Sequence, residues 1–568
     1  MQLLIWKTAT LWLSVFLYQI PRYTLETPEN IRNADPDFTK PNIIFILTDD
    51  QDETLQSMQS MPLVRRLITQ QGVRFPNMFV TTPICCPSRS AILTGTYVHN
   101  NKAFNNSAQG NCANAYWQAN GELRTFPKLL HDAGYKTMFA GKYLNQYGYP
   151  ETGGAQHVPP CWDSWTGLIG QSYYYNYSLS VNGTQVWHGS NLEDYLTHVI
   201  EKSALDFLKY SDSRQPFFMM LCPTAAHSPF TPEPQYKLNF TGMRAPRTPN
   251  YNQHADDKHW LMRQPPFKLK QSVLDYVDSI FRNRWRTLQS VDVMIERLFE
   301  SLKRKGQLNN TVFIYSSDNG FHLGQFCFPW DKRMPYEFDI RVPMAISGHG
   351  IPQGKIMLEP IQSIDIGPTI LELAGLNVPD HFDGQSFLKL FQKRKFTNAT
   401  PKQSRDESGW HKYFLVEYFA MNHGGIPASC GYPLDQGLSD CNLPECICQD
   451  AWNNTYACLR HLDHINNADE IYCEFKDRVG FEEYYNLTQD PYQLINRAST
   501  LNPAQKRLLS KRLAYFTHCH GVTCRNLPRG SYQISNSTKI RKQLKRSHNV
   551  ITRRRSRIHR YKRQTEGC

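Results

Sequence analysis

Apart from one short run near its start, the 568-residue chain contains no long hydrophobic stretch. That run, Thr10 to Ile20 behind Lys7, falls well short of the roughly 20 residues of a bilayer-spanning helix. It has the make-up of a secretory leader over residues 1–22. No small-x-small cleavage site follows it, so a cleaved leader and an uncleaved anchor both stay open. No other segment is expected to cross a membrane. A glycine-rich phosphate loop and internal repeats are also missing, which excludes nucleotide-binding P-loop or dinucleotide classes and solenoids. Acidic residues are absent from Lys539 to Arg563, where twelve Lys or Arg are crowded together. Since the formal charge of the whole chain is +13, the remaining residues are nearly neutral, and no nucleic-acid partner is expected. Residues 535–568 read as a disordered basic tail, either trimmed at Arg553-Arg554-Arg555 or held electrostatically to a sulfated glycan.

Hydrophobic residues make up 40% of the chain and aromatic ones 12%, enough for two or more domains with substantial cores. Asn-x-Ser/Thr acceptors stand at Asn105, Asn176, Asn182, Asn239, Asn309, Asn398, Asn453, Asn486 and Asn536, and there are fifteen cysteines. With the leader, these features point to the secretory pathway, where glycosylation and disulfides are expected. Cys430, Cys441, Cys446 and Cys448 follow no standard zinc-finger spacing and read as disulfide halves.

Ile43 to Leu47 is an unbroken apolar run with the signature of a strand buried on both faces. It ends in Asp49-Asp50. Val312 to Tyr315 ends similarly in Asp318-Asn319. Phe217 to Leu221 leads to His227, and Lys136 to Ala140 leads to Gly141-Lys142. Between such runs lie helical patterns, the clearest being Trp285, Leu288, Val291, Ile295, Leu298 and Leu302, with a basic last turn closed by Gly306. The alternation predicts an α/β sheet with helices on both faces, whose polar residues gather at the strands' carboxyl ends, where such sheets bind ligands. The pattern loosens near Leu376 to Gly384. Expected domains are therefore 40–385 and a smaller, cysteine-rich α+β domain over 401–530, with strands at Phe414 to Tyr418 and Phe481 to Leu487.

Cys85-Cys86-Pro87-Ser88-Arg89 reads as a loop entering a helix, since Pro87 suits a first turn. Free N–H groups, the helix dipole and Arg89 then favour an anion beside Cys85. On these residues alone Cys85 is a candidate low-pKa thiolate nucleophile, or else a disulfide half or a buried thiol.

The whole string Cys-x-Pro-Ser-Arg-x-x-x-Leu-Thr-Gly, from Cys85 to Gly95, resembles the activation motif of the sulfatase family. The resemblance implies an alkaline-phosphatase-like fold with a large, mostly parallel mixed sheet. It implies that a formylglycine-generating enzyme oxidises Cys85 to formylglycine, whose hydrate attacks sulfur and later expels sulfate. It implies one divalent ion, Ca²⁺ rather than Mg²⁺, held by Asp49, Asp50, Asp318, Asn319 and the modified Cys85. It also makes Arg89, Lys142 and Lys332 the cations around the sulfate, and His227 the acid for the leaving sugar oxygen.

Further strings, among them Gly141 to Gly148, Asp318 to His322, Tyr336 to Ile340 and Asp450 to Cys458, resemble the branch that removes 6-O-sulfate from N-acetylglucosamine of heparan or keratan sulfate, usually in the lysosome. The extracellular heparan 6-O-endosulfatases share much of the N-terminal half. A phosphatase or phosphodiesterase of the same broader fold and a glycosaminoglycan-binding pseudoenzyme are the remaining readings. The chain departs from many sulfatases at Leu144, where a histidine usually helps release sulfate, and Asn145 and His322 are the candidate substitutes. His259-Trp260 is either a sugar-stacking pair or a packed loop.

Overall fold

The apolar run after Pro41 forms a central strand, β1 (Asn42–Thr48), with every residue buried. The computed structural model describes residues 40–392, 410–421, 437–442 and 446–525. The leader, Cys430, the acceptors Asn398 and Asn536 and the basic tail lie outside the described residues.

The other strands of the main sheet are β2 (Gly72–Arg74), β3 (Lys136–Gly141), β4 (Ser164–Leu168), β5 (Tyr177–Val181), β6 (Thr184–His188), β7 (Phe217–Cys222), β8 (Thr311–Ser317), β9 (Met344–Gly348) and β10 (Lys355–Ile356). Their spatial order is β10-β2-β9-β8-β1-β7-β3-β4-β5-β6. The centre, β8-β1-β7-β3-β4, is parallel. Antiparallel pairs at both margins make the sheet mixed.

The principal helices are α1 (Cys85–Thr94), α2 (Phe126–Asp132), α3 (Leu196–Tyr210), α4 (Gln271–Arg304), α5 (Ile366–Leu373) and α6 (Pro503–Phe516). Strand side chains alternate between two cores, as the pleat requires. Ile43, Phe45, Leu47, Phe218 and Ile314 pack with Ile92 of α1, Leu130 of α2 and Ile370 of α5. Ile44, Ile46, Met219, Leu221 and Phe313 pack on the other side with Ile200 of α3 and Leu288, Val291 and Ile295 of α4. Burial of each such side chain contributes about 1.5–3 kcal/mol, which explains why the middle of β1 (Ile43 to Leu47) and of β7 (Phe217 to Leu221) is wholly apolar.

Parallel register decides where the polar ends fall. Residues 42 to 48 of β1 pair one-for-one with 311 to 317 of β8, so Asp49-Asp50 and Asp318-Asn319 emerge side by side. Gly141 pairs with Cys222, which brings Lys142 to the same edge.

A second, antiparallel sheet follows, β11 (Tyr413–Tyr418), β12 (Tyr456–Asp463), β13 (Ala468–Phe475) and β14 (Glu482–Asn486), in that order. Leu513 and Phe516 of α6 pack on Leu415, Leu459 and Tyr472. The sheet docks beside the α1 loop: the Phe414 and Phe79 rings lie 5.0 Å apart, and the Glu417 N–H donates to the Thr81 carbonyl at 2.9 Å. The sequence pattern marks β11 and β14 but not β12 and β13; the apolar run of β12 is broken by Arg460, a buried arginine paired with Glu337 at 3.1 Å, and β13 carries Asp469 and Glu470 near its start.

Disulfides join Cys86–Cys112, Cys441–Cys448, Cys458–Cys473 and Cys519–Cys524, and Cys446 is disulfide-bonded as well. These cysteines are thus bridges rather than zinc ligands. No helix among the described residues is long and apolar enough to cross a membrane.

Candidate active site

Cys85 is the first residue of α1, one position further into the helix than the sequence pattern places it, with Ile84 extended at the N-cap. It is fully buried and free, while its neighbour Cys86 is tied to Cys112. The Cys86 N–H is capped by the Asn106 side-chain oxygen at 2.8 Å. The Cys85 Sγ lies 3.8 Å from Asp49 Oδ1. Arg89 follows four residues later and therefore lies on the same helix face. Its Nε donates to Asp318 Oδ2 at 2.7 Å and its Nη1 to the Lys142 carbonyl at 2.6 Å.

Two lysines converge on the paired aspartates. Lys142 Nζ donates to Asp49 Oδ1 and Oδ2 at 2.9 and 2.7 Å. Lys332 Nζ donates to Asp50 Oδ2 at 2.8 Å. All four side chains are buried. Burial alone would raise the Asp49 pKa, but Lys142, His227 and Arg89 hold the carboxyl well below the usual carboxylate range. At Asp318 burial wins over Arg89, and with Asp49 close by the pKa is pushed up to about 6.

Burial also governs Cys85. It pushes the thiol up to about 11, because the gain from Lys142 and Lys332 is offset by Asp49 and Asp318. An unmodified Cys85 is therefore a protonated thiol at neutral pH. Of the three alternatives for Cys85 the structure matches the buried thiol, because burial outweighs the helix terminus and the cations.

His227 sits across from these groups, with Nε2 3.8 Å from Asp50 Oδ2. Its Nδ1 is 2.7 Å from the Ser228 carbonyl. A carbonyl only accepts, so Nδ1 carries the proton and Nε2 faces the cluster. Ligand atoms of Asp49, Asp50, Cys85 and His227 all lie within 4.8 Å of one another.

Of the two candidates for the role of the residue missing at Leu144, His322 has both ring nitrogens engaged, by Asp339 Oδ1 at 3.0 Å and Gln449 Oε1 at 2.9 Å. Asn145 is buried, with its Oδ1 lacking any hydrogen-bond partner. His259 is packed, not presented: it stacks on Phe475 at 4.2 Å and is 1% exposed.

A family model described as Sulfatase matches residues 41–376 of the chain. The chain belongs to the sulfatase family. It is similar to the N-acetylglucosamine-6-sulfatase of Homo sapiens, 44% identical over 489 residues and 86% of each protein. The putative extracellular sulfatase Sulf-1 homolog of Caenorhabditis elegans is 41% identical over 80% of this chain and 67% of its own. Among solved structures, a protein in complex with its substrate D-glucosamine-2-N,6-O-disulfate shares the fold, with a TM-score of 0.65 and 23% identity over 84% of this chain and 97% of that one. As a sulfatase, the chain hydrolyses sulfate esters.

The residues of this sulfatase fit a hard divalent cation. Carboxylate oxygens come from Asp49, Asp50 and Asp318, and the buried Asn319 Oδ1 has no hydrogen-bond partner while its Nδ2 donates to Asp50 Oδ1 at 2.7 Å. A buried amide oxygen left unpaired is costly unless something binds it, and oxygen donors of this kind suit Ca²⁺ or Mg²⁺.

Sequence reasoning misses two residues of the site. Ser172 donates from Oγ to Asp49 Oδ2 at 3.0 Å, yet it sits in a loop without periodicity or motif. Arg284 donates from Nη2 to the Asp50 carbonyl at 2.9 Å. A signal exists there: Arg284 falls three residues after Phe281 and four before Leu288, a charge on the apolar face of α4.

Proposed function

We propose that this sulfatase removes the 6-O-sulfate from terminal N-acetylglucosamine residues of heparan or keratan sulfate, acting in the lysosome. The names and 44% identity of relatives matching along most of their length support the substrate. The chemistry rests on one observation above all: Cys85 at a helix N-terminus, 3.8 Å from Asp49 and enclosed by Arg89, Lys142 and Lys332.

A protonated thiol is a poor nucleophile here, which favours maturation of Cys85 to formylglycine by a formylglycine-generating enzyme. The matured residue supplies a hydroxyl for attack on sulfur and a second to drive sulfate release. Asp49, Asp50, Asp318 and Asn319, with the oxygen introduced at position 85, would hold one Ca²⁺. When bound, the ion supplies Lewis-acid polarisation of sulfate oxygens. Arg89, Lys142 and Lys332 surround the sulfate and stabilise its growing charge. His227, fixed through Nδ1, delivers a proton from Nε2 to the departing sugar oxygen when the ring is doubly protonated; burial, reinforced by Lys332, lowers its pKa, so that the donating form gains population toward acid pH.

Residues 40–385 form the catalytic domain in this reading, and 401–530 a smaller, cysteine-rich domain. Disulfides, the leader and exposed glycosylation acceptors fit passage through the secretory pathway. Sulfate release from a 6-sulfated N-acetylglucosamine monosaccharide, measured against internal sugars of a long chain, tests exo action. Preferential release from internal sugars would instead support the extracellular endosulfatase reading; the Caenorhabditis relative is by name an extracellular sulfatase.

A further inference from the structure

Asp50 has a φ of 61°, in the left-handed region that non-glycine residues adopt uncommonly and that surrounding contacts have to maintain. Something must hold it. Its N–H donates to Asp318 Oδ1 at 3.0 Å, and its carbonyl receives Arg284 Nη2 at 2.9 Å. The same guanidinium lies over the Phe321 ring, 4.0 Å from the centroid. Phe321 follows Asn319 by two residues, so one side chain grips both ligand-bearing loops. Arg284 is 1% exposed and is carried by α4, a 34-residue helix anchored in the core. Its contact with Asp52 Oδ2 is longer, 3.4 Å.

We propose that Arg284 is a positioning residue for the cation site, holding the turn at Asp50 and the Asn319–Phe321 segment in the geometry that binds the ion. It touches no reacting atom. The inference deepens the reading above, since it rests on Asp50 and Asn319 being cation ligands. A planar guanidinium suits both contacts, because it donates to a carbonyl in its plane while its face covers an aromatic ring.

The test measures thermal unfolding of the full-length, formylglycine-matured protein against calcium chloride concentration, after chelator treatment. Arg284→Met is expected to raise the calcium concentration for half-maximal stabilisation by about 10–100-fold, the usual cost of losing an outer partner of a metal ligand, and Arg284→Lys to recover part of it. Asp52→Asn should bind calcium as the parent does. Phe321→Leu, which keeps the core apolar, should weaken binding in the same direction and stands in should Arg284→Met fail to fold. If the parent shows no calcium response, the cation reading fails and this proposal with it. If the parent responds and Arg284→Met and Phe321→Leu respond at the same concentration, Arg284 has no positioning role. A matching loss in Asp52→Asn would likewise overturn the proposal, because Arg284 would then act through Asp52.

Discussion

The Lys142 ammonium bridges both carboxylate oxygens of Asp49, at 2.9 and 2.7 Å, at the buried carboxyl edge of the sheet. Two strands that are not neighbours, β1 and β3, bring them there, with β7 between. The pair is expensive to desolvate and is retained only where both charges are used or further satisfied. Ser172 and Arg89 supply that satisfaction at Asp49.

Lys142→Met should lower kcat by about 10²–10³-fold, the scale for losing one preorganised donor to a transition-state anion, with KM changed far less. Stability should also fall, by about 3–5 kcal/mol if Asp49 stays charged. Steady-state kinetics with a 6-sulfated monosaccharide and chemical denaturation of the same preparation check the two parts.

Gly141 positions that lysine. It has a φ of 113°, and a Cβ there would stand 2.0 Å from the Cys222 carbonyl oxygen. Gly141→Ala should therefore cost at least about 1–3 kcal/mol of strain and reduce kcat, with a lower melting temperature as the direct measure.

Stability should rise toward acid because of His99. Its Nδ1 faces Glu417 Oε1 and its Nε2 the Cys519 carbonyl, each at 2.9 Å. Two acceptors require two N–H groups, so the ring is held as imidazolium. Burial opposes that charge, but Glu417 and the carbonyl outweigh it and raise the pKa above the ordinary 6.5. The contribution is complete below pH 6.5 and is lost as pH rises through the higher folded-state value. His99→Gln should cost about 1.5–3 kcal/mol at pH near 5 and much less at alkaline pH, as read from denaturation curves at both.

Glycosylation should follow exposure rather than sequence. Asn176 and Asn309 are exposed. Asn105 is buried, its Oδ1 receiving the Ser107 N–H and hydroxyl, and Asn453 is buried against the Trp260 indole N–H at 3.0 Å. Peptide mapping of secreted protein should find glycan at the first two and bare asparagine at Asn105 and Asn453.

Much of the site was legible in the chain because apolar strands end where polarity begins. Ile43 to Leu47 and Val312 to Tyr315 announce buried strands, and the residues just past them, with Cys85, Arg89, Lys142, Lys332 and His227, converge on one cluster. What stayed hidden depends on contacts between distant segments. Ser172 carries no local signal, and Arg284 looks like any helical arginine until its register is counted. The choice among thiolate, disulfide half and buried thiol at Cys85 stayed open for a similar reason: a helix terminus is visible in sequence, whereas the depth of its burial, which dominates the thiol's pKa, is not.

The role of Cys85 is tested most directly by the aldehyde content of its peptide, measured by mass spectrometry across preparations of graded maturation and compared with their rate of sulfate release. The expected rate is proportional to aldehyde, with none from the plain thiol. Full-rate sulfate release by protein whose Cys85 is entirely unmodified would contradict the formylglycine mechanism.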